Sequence, residues 1–281
     1  MSKIMDARVI EAQTKQLNVG GSQKAALATE SLGQGPIFVW GHALMSSMAQ
    51  DLEGEVLAWR ELSDIAQIVR YDARGHGESE CTGVAEDYAW NSLGENMWQV
   101  TDSYSTEKVV LGGASMGCAT SLYAACQRPE QVRGLILVIP PTAWESREKM
   151  QRNYRVIARI VSLSRGIPFK LLKLFRLKAS PDDFQKNLAL ILIKHLAKSN
   201  YRGVVGAMRG AALSDLPAKK ELKKLTMPAL ILAWPDDATH PLAVAETLRD
   251  ILPNAQLEVM KNGSDPYHWP KLVREFITSL D

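Results

Sequence analysis

Gly113-Ala114-Ser115-Met116-Gly117 decides how this chain is read. The pentapeptide has the form G-x-S-x-G. It follows an apolar run, Val109-Val110-Leu111, and precedes a small-residue stretch of helical character, Cys118 to Ala125. Strand, tight turn and helix, in that order, lift a serine above a sheet and expose its hydroxyl. Only small neighbours fit beside so sharp a turn, and Gly113, Ala114, Gly117 and Ala119 supply them. The helix that begins beneath the serine points its positive end at any oxyanion formed there. Ser115 is the candidate nucleophile. The bland alternative is a glycine-rich β-to-α turn in an ordinary α/β sheet.

The same grammar extends along the chain. Residues 5–31 read as an antiparallel edge hairpin, with its turn at Asn18-Val19-Gly20-Gly21-Ser22. Apolar strands follow at Pro36–Trp40, Ile65–Tyr71, Val109–Leu111, Gly134–Ile139, Pro228–Ala233 and Gln256–Met260. Pro36–Trp40 is a continuous apolar run of the kind seen in strands covered on both faces. Helical segments separate them, residues 89–103 among them, and the alternation predicts a mostly parallel α/β sheet. Ligands of such sheets bind beyond the carboxyl ends of the strands. The polar motifs Gly41-His42-Ala43-Leu44, Asp72-Ala73-Arg74-Gly75-His76-Gly77 and Asp236-Asp237 all fall at such ends.

The bulk properties exclude several classes. A chain of 281 residues that is 46% hydrophobic can fill one large core. Its net charge of +2 gives no global attraction to nucleic acid. No apolar stretch approaches the ~18 residues that cross a bilayer, and Met1–Asp6 lacks the apolar core of a signal peptide. The three cysteines, Cys81, Cys118 and Cys126, show no C-x-x-C spacing. Reduced thiols and a cytoplasmic location are expected. No metal-ligand spacing and no phosphate-cradling glycine loop is present, so neither cofactor nor metal is expected.

Taken together, the four motifs Gly41–Leu44, Asp72–Ser79, Gly113–Gly117 and Asp237–Pro241 resemble the α/β-hydrolase superfamily over nearly the whole chain. The resemblance is to its lid-bearing branch, which includes carboxylesterases, enol-lactonases and C–C bond hydrolases. It implies an eight-stranded, mostly parallel sheet flanked by helices. Residues 1–140 and 216–281 would form the core, and residues 141–215 a helical lid inserted in it. The lid segment carries fifteen basic and five acidic residues, a charge that could steer an anionic substrate but also suits a solvated helix face. Within it, Ile167–Phe175 is basic and amphipathic, and packing on the core is favoured over contact with a membrane.

The resemblance also implies roles. Two backbone N–H groups would hold the oxyanion, at Met116 and at Ala43 in the loop after the first buried strand. That loop runs Gly-His-Ala here, where the family usually has His-Gly-x; His42 and His76 read as structural. The family acid stands four residues before a proline, and Pro241 selects Asp237 over Asp236. The family base follows a glycine after the last strand, where this chain has Gly263-Ser264-Asp265. The nearest histidine, His268, is the first choice for the base, brought back by a turn at Asp265-Pro266. His240, three residues past Asp237, is the alternative. A site with no working base is the third possibility. The expected function is accordingly a serine hydrolase that cleaves a small carboxylic ester or lactone through an acyl-enzyme on Ser115, its substrate a small molecule, anionic if the basic lid recognises it. The alternative is a non-catalytic ligand-binding protein on the same scaffold. Relatives with an aspartate at the elbow, the dehalogenases and epoxide hydrolases, are disfavoured because this residue is serine.

Overall fold

A computed structural model of the protein describes residues 12–55, 57–167, 171, 184–261 and 268–280. Eight strands follow one another as β1 (Gln13–Val19), β2 (Ala25–Leu32), β3 (Ile37–Gly41), β4 (Gln67–Tyr71), β5 (Val109–Ala114), β6 (Val132–Val138), β7 (Ala229–Ala233) and β8 (Ala255–Val259). They form one sheet in the order β1-β2-β4-β3-β5-β6-β7-β8. Only β2 runs against its neighbours, pairing antiparallel with both β1 and β4. The others pair parallel, in line with the expected sheet. The expected edge hairpin is β1 and β2; its residues 5–11 lie outside the described residues.

The helices are α1 (Met48–Glu53), α2 (Trp59–Leu62), α3 (Trp90–Asp102), α4 (Met116–Gln127), α5 (Arg147–Leu163), α6 (Phe184–Leu196), α7 (Tyr201–Leu213), α8 (Lys219–Leu222), α9 (Leu242–Ile251) and α10 (Trp269–Thr278). Side chains alternate across a strand, so each buried strand feeds two cores. Val109, Leu111, Leu135 and Leu137 pack with Met97 of α3, Leu122 of α4 and Leu248 of α9. Val110, Ile136 and Val138 face the other way, onto Trp59 of α2 and Trp269, Val273 and Phe276 of α10. Every residue of β3, β5 and β7 is buried, which is why these segments read as unbroken apolar runs.

The turn from β5 into α4 is as sharp as the sequence demands. Ser115 adopts φ 51° and ψ −106°, a region costly for a residue with a side chain. Its N–H donates to the Val138 carbonyl at 3.0 Å, and its own carbonyl accepts from Ala119 N–H at 3.2 Å. Helix α4 presses so closely on β3 that a Cβ at Gly117 would overlap the Gly41 carbonyl. Gly117→Ala should therefore destabilise the protein by about 3 kcal/mol or more, since neither backbone can yield. Urea unfolding measures this, with Gly83→Ala as the control, because a Cβ there meets nothing within 4 Å. A loss under about 1 kcal/mol at Gly117 would be ordinary propensity and would rule out the close contact.

Between β6 and β7 the strand pattern gives way to α5, α6 and α7. Ala158 and Val161 of α5 pack on Val204, Val205 and Met208 of α7. Asn200 separates α6 from α7 by capping the latter, its side-chain oxygen accepting from Arg202 N–H at 3.0 Å. The inserted segment is fastened at its two ends. Trp144 N–H donates to Asp215 Oδ1 at 2.9 Å, and Arg147 Nε donates to the Ser214 carbonyl at 2.8 Å. Buried Arg147 also stacks on Trp90, 4.1 Å from the ring centre, so this one basic residue serves the base of the segment. Of the amphipathic stretch Ile167–Phe175, only Ile167 and Leu171 are described, and both are exposed. The remainder, with Lys170, Lys173, Arg176 and Lys178, lies outside the described residues.

Candidate active site

Ser115 stands at the carboxyl end of β5 and is 8% exposed. Its Oγ lies 2.8 Å from Nε2 of His240. The other ring nitrogen, Nδ1, lies 2.7 Å from Oδ2 of Asp237. Serine, imidazole and carboxylate thus form a continuous hydrogen-bonded line. With Nδ1–H donating to the carboxylate, Nε2 is left with its lone pair facing the serine hydroxyl.

The loop after β7 makes this possible. Trp234 is buried, and Asp236 turns the chain through the left-handed region at φ 61°. His240 N–H then donates to the Asp237 carbonyl at 3.2 Å, closing Asp237-Ala238-Thr239-His240 into a turn whose ends meet. Thr142 N–H holds the loop down, donating to the Thr239 carbonyl at 3.0 Å. Asp236 itself is exposed, whereas Asp237 is half-buried and its carboxylate meets His240. Asp237 accepts four hydrogen bonds. Trp234 Nε1 at 3.0 Å joins His240 on Oδ2, and Thr239 N–H at 2.8 Å and its hydroxyl at 2.6 Å occupy Oδ1. Burial by itself would push this carboxyl up. The His240 partner and the Thr239 and Trp234 donors outweigh it and hold the group well below the usual carboxylate range.

The structure departs from the sequence at the first choice of base. His268 is exposed and occupies the position before α10. Its neighbour Trp269 is buried and stacks on Trp234, ring centres 5.7 Å apart. Successive residues at a helix start point roughly 100° apart, so burying Trp269 turns His268 outward. The expected turn at Asp265-Pro266 lies outside the described residues. His42 and His76 both make buried hydrogen bonds that hold backbone in place. His42 Nδ1–H donates to the Ala43 carbonyl at 2.8 Å, and its Nε2 accepts from Ala73 N–H at 2.9 Å. His76 Nε2 accepts from Met45 N–H at 3.3 Å, and the two rings lie edge to face. Burial depresses His42 to about 4 and His76 to about 3, the latter helped by His42. Both stay neutral at pH 7 and fix the path of residues 43–46 beside Ser115. His195 lies on α6 against Glu53, 2.9 Å away. The Cys118 thiol is buried between the Gly113 and Val138 carbonyls, which suits a core residue.

The two amides that the resemblance implies belong to Met116, which follows Ser115, and to Ala43, which lines the cavity above Ser115. Met116 N–H opens α4, and Ala43 N–H lies in the loop after β3. Among the described residues, neither donates to a protein acceptor.

A cavity of about 380 Å³ opens above Ser115. Its floor is Ser115, His240 and the Ala43–Ser46 loop. Its apolar walls include Met45, Tyr154 of α5, Leu188 and Leu192 of α6, Met208 of α7 and Trp234. One part of the wall is polar, made of Ser46, Gln50 and Asp51. Asp51 Oδ2 accepts from Trp40 Nε1 at 2.7 Å and Oδ1 from the Ser46 hydroxyl at 3.1 Å. Burial pushes its carboxyl up to about 6, opposed by Trp40, Arg70 and Ser46. Sequence reasoning misses this polar wall. Gln50 and Asp51 follow the loop as any short helix might, with no periodicity to say that they are buried. Among the described residues no lysine or arginine lines the cavity.

Comparison with known proteins agrees with this architecture. The family model for the alpha/beta hydrolase fold matches residues 52–272. The chain is 25% identical over 222 residues to 3-oxoadipate enol-lactonase 1 of Acinetobacter baylyi, covering 76% of this chain and 79% of that one. It is 22% identical over 254 residues to 3-oxoadipate enol-lactonase 2 of the same organism, covering 85% and 86%. Among solved structures, a thermophilic esterase from Thermogutta terrifontis superposes with a TM-score of 0.72 at 22% identity, covering 95% of this chain and 97% of that one.

Proposed function

The chain belongs to the alpha/beta hydrolase fold family, and from that membership we propose that it is a serine hydrolase of small carboxylic esters or lactones, working through an acyl-enzyme on Ser115. The observation that carries this reading is the line from Ser115 Oγ through His240 to Asp237, at 2.8 and 2.7 Å. A serine hydroxyl is a poor nucleophile until a base takes its proton, and His240 Nε2 is at bonding distance to do so. The enol-lactonase names of the similar curated proteins support an ester or lactone as the bond attacked.

Ser115 Oγ attacks the carbonyl carbon as His240 takes its proton. Asp237 keeps the imidazole in the tautomer that can accept it, and stabilises the imidazolium. The carbonyl oxygen, now negative, sits between the N–H groups of Ala43 and Met116 at the positive end of α4. His240 returns the proton to the departing alkoxide. Water then enters, His240 deprotonates it, and attack on the acyl carbon releases the acid and restores Ser115. Residues 141–215 act as the lid, with α5, α6 and α7 supplying the wall that keeps the acyl group out of water. The non-catalytic alternative rested on a missing base, and an imidazole 2.8 Å from the serine supports the hydrolase over it.

The test is direct. Purified protein should be labelled by a fluorophosphonate and should hydrolyse p-nitrophenyl acetate, while Ser115→Ala should do neither. An unlabelled wild-type protein with no turnover above that variant overturns the reading.

A further inference from the structure

Helix α5 is apolar on two opposite faces. On its inner face, Ala158 and Val161 pack against Val204, Val205 and Met208 of α7. On its outer face stand Val156, Ile157, Ile160 and Leu163, the last three lying one, four and seven residues past the first, which makes one stripe on a helix. Val156, Ile160 and Leu163 are 57, 54 and 78% exposed, and Ile167, just beyond the turn that ends α5, is 56% exposed. Single apolar side chains on a surface are ordinary, whereas a contiguous stripe rimmed by charge marks an interaction surface. The rim is basic. Arg152, Arg155 and Arg159, all exposed, are spaced three and four residues apart and form a row along one edge of the stripe. Arg152 lies 3.7 Å from Glu148, and among the described residues Arg155 and Arg159 have no carboxylate partner.

We propose that the outer face of α5 docks on the surface of a membrane rich in anionic lipid. The charge and the apolar stripe match the two layers of such an interface. Acidic headgroups take the guanidinium groups, and the acyl region below them takes Val156, Ile160 and Leu163. The long arginine stems lie along apolar surface and let the charge reach back to the headgroups. The contact is peripheral, since no described helix is long and apolar enough to cross a membrane. A second copy of this chain fits the stripe less well. Pairing two copies of α5 would gather three arginines from each around one apolar seam, with Glu148 the one acid that α5 supplies. The place of α5 gives the contact a use. The same helix contributes Tyr154 to the wall of the cavity above Ser115. Esters that partition into lipid would thus be held beside the helix that encloses the site.

The experiment floats the purified protein with vesicles of phosphatidylcholine alone and with vesicles of phosphatidylglycerol and phosphatidylcholine in equal parts. The protein should rise with the mixed vesicles and stay behind with phosphatidylcholine alone. Ile160→Ser/Leu163→Ser and Arg155→Gln/Arg159→Gln should each lower the partition coefficient onto mixed vesicles by about tenfold or more, the first through lost apolar burial and the second through lost attraction. All four side chains are exposed, so urea unfolding of both variants should match the wild type. Failure of the wild type to rise with the mixed vesicles overturns the proposal. Flotation that the serine variant retains in full overturns it too, since the protein would then be adsorbed by charge alone, and so does flotation that the glutamine variant retains in full. Sedimentation velocity without lipid reads the competing occupant. A dimer that the serine variant disperses makes the stripe a contact between copies and likewise overturns the proposal. None of these readouts needs turnover, so they decide the docking surface whether or not Ser115 is a nucleophile.

Discussion

His240→Ala should reduce kcat for p-nitrophenyl acetate by about 10⁴-fold, with little change in KM, because the base acts on the transition state and not on the bound ester. His268→Ala should leave both constants within about twofold of the wild type, as expected of an exposed residue outside such a site. The contrast is geometric. His240 Nε2 touches Ser115 Oγ at 2.8 Å, whereas the ring of His268 is exposed at the start of α10. The double variant Ser115→Ala/His240→Ala should be hardly worse than either single one, since nucleophile and base act as a unit. Steady-state kinetics on the four variants check this. A large loss from His268→Ala, with His240→Ala near normal, would move the base elsewhere and require a rearranged loop after β8.

Asp237→Asn should cost about as much, about 10⁴-fold in kcat, through the tautomer of His240 and not through loss of the ring. Each carboxylate oxygen of Asp237 accepts two donors. An asparagine can offer only one oxygen. If its NH₂ faces His240, Nδ1 must become the acceptor, and Nε2 then carries a hydrogen that points at the serine it should deprotonate. If its NH₂ faces Thr239, it meets the Thr239 N–H and the turn opens. The sign of the pH effect on stability follows from the same contacts. The folded-state carboxyl is held below its ordinary range, so its contribution is present at neutral pH and lost as the pH falls below that range. Asp237→Asn should therefore flatten the acid limb of the stability curve, measured by urea unfolding at several pH values. An unchanged acid limb together with near-normal kcat would contradict both arguments.

Much of this molecule is legible without coordinates because strands and elbows are local. The apolar runs that became β3 to β7, and the strand–serine–helix turn, need only neighbouring residues to declare themselves. Asp237 was picked out by the family resemblance, in which the acid stands four residues before a proline. The imidazole that meets the serine was harder. Chain order favours a histidine after β8, and His268 is the one that follows it. Yet Asp237-Ala238-Thr239-His240 is four residues long, the length of a turn, and a turn brings its first and last residues together. That was the available signal, and it depended on a left-handed Asp236 that no composition rule demands.

By itself, the order of residues determined the parallel sheet and the raised serine, because each is written in a short stretch of chain; Asp237 was singled out by the family resemblance. Which imidazole reaches the serine was decided only in three dimensions, when Trp269 packed on Trp234 and turned His268 outward. The polar wall of Gln50 and Asp51 was decided there too, since the cavity they line is closed by α6 from far along the chain. Local chemistry is encoded locally; the meeting of distant side chains is a property of packing.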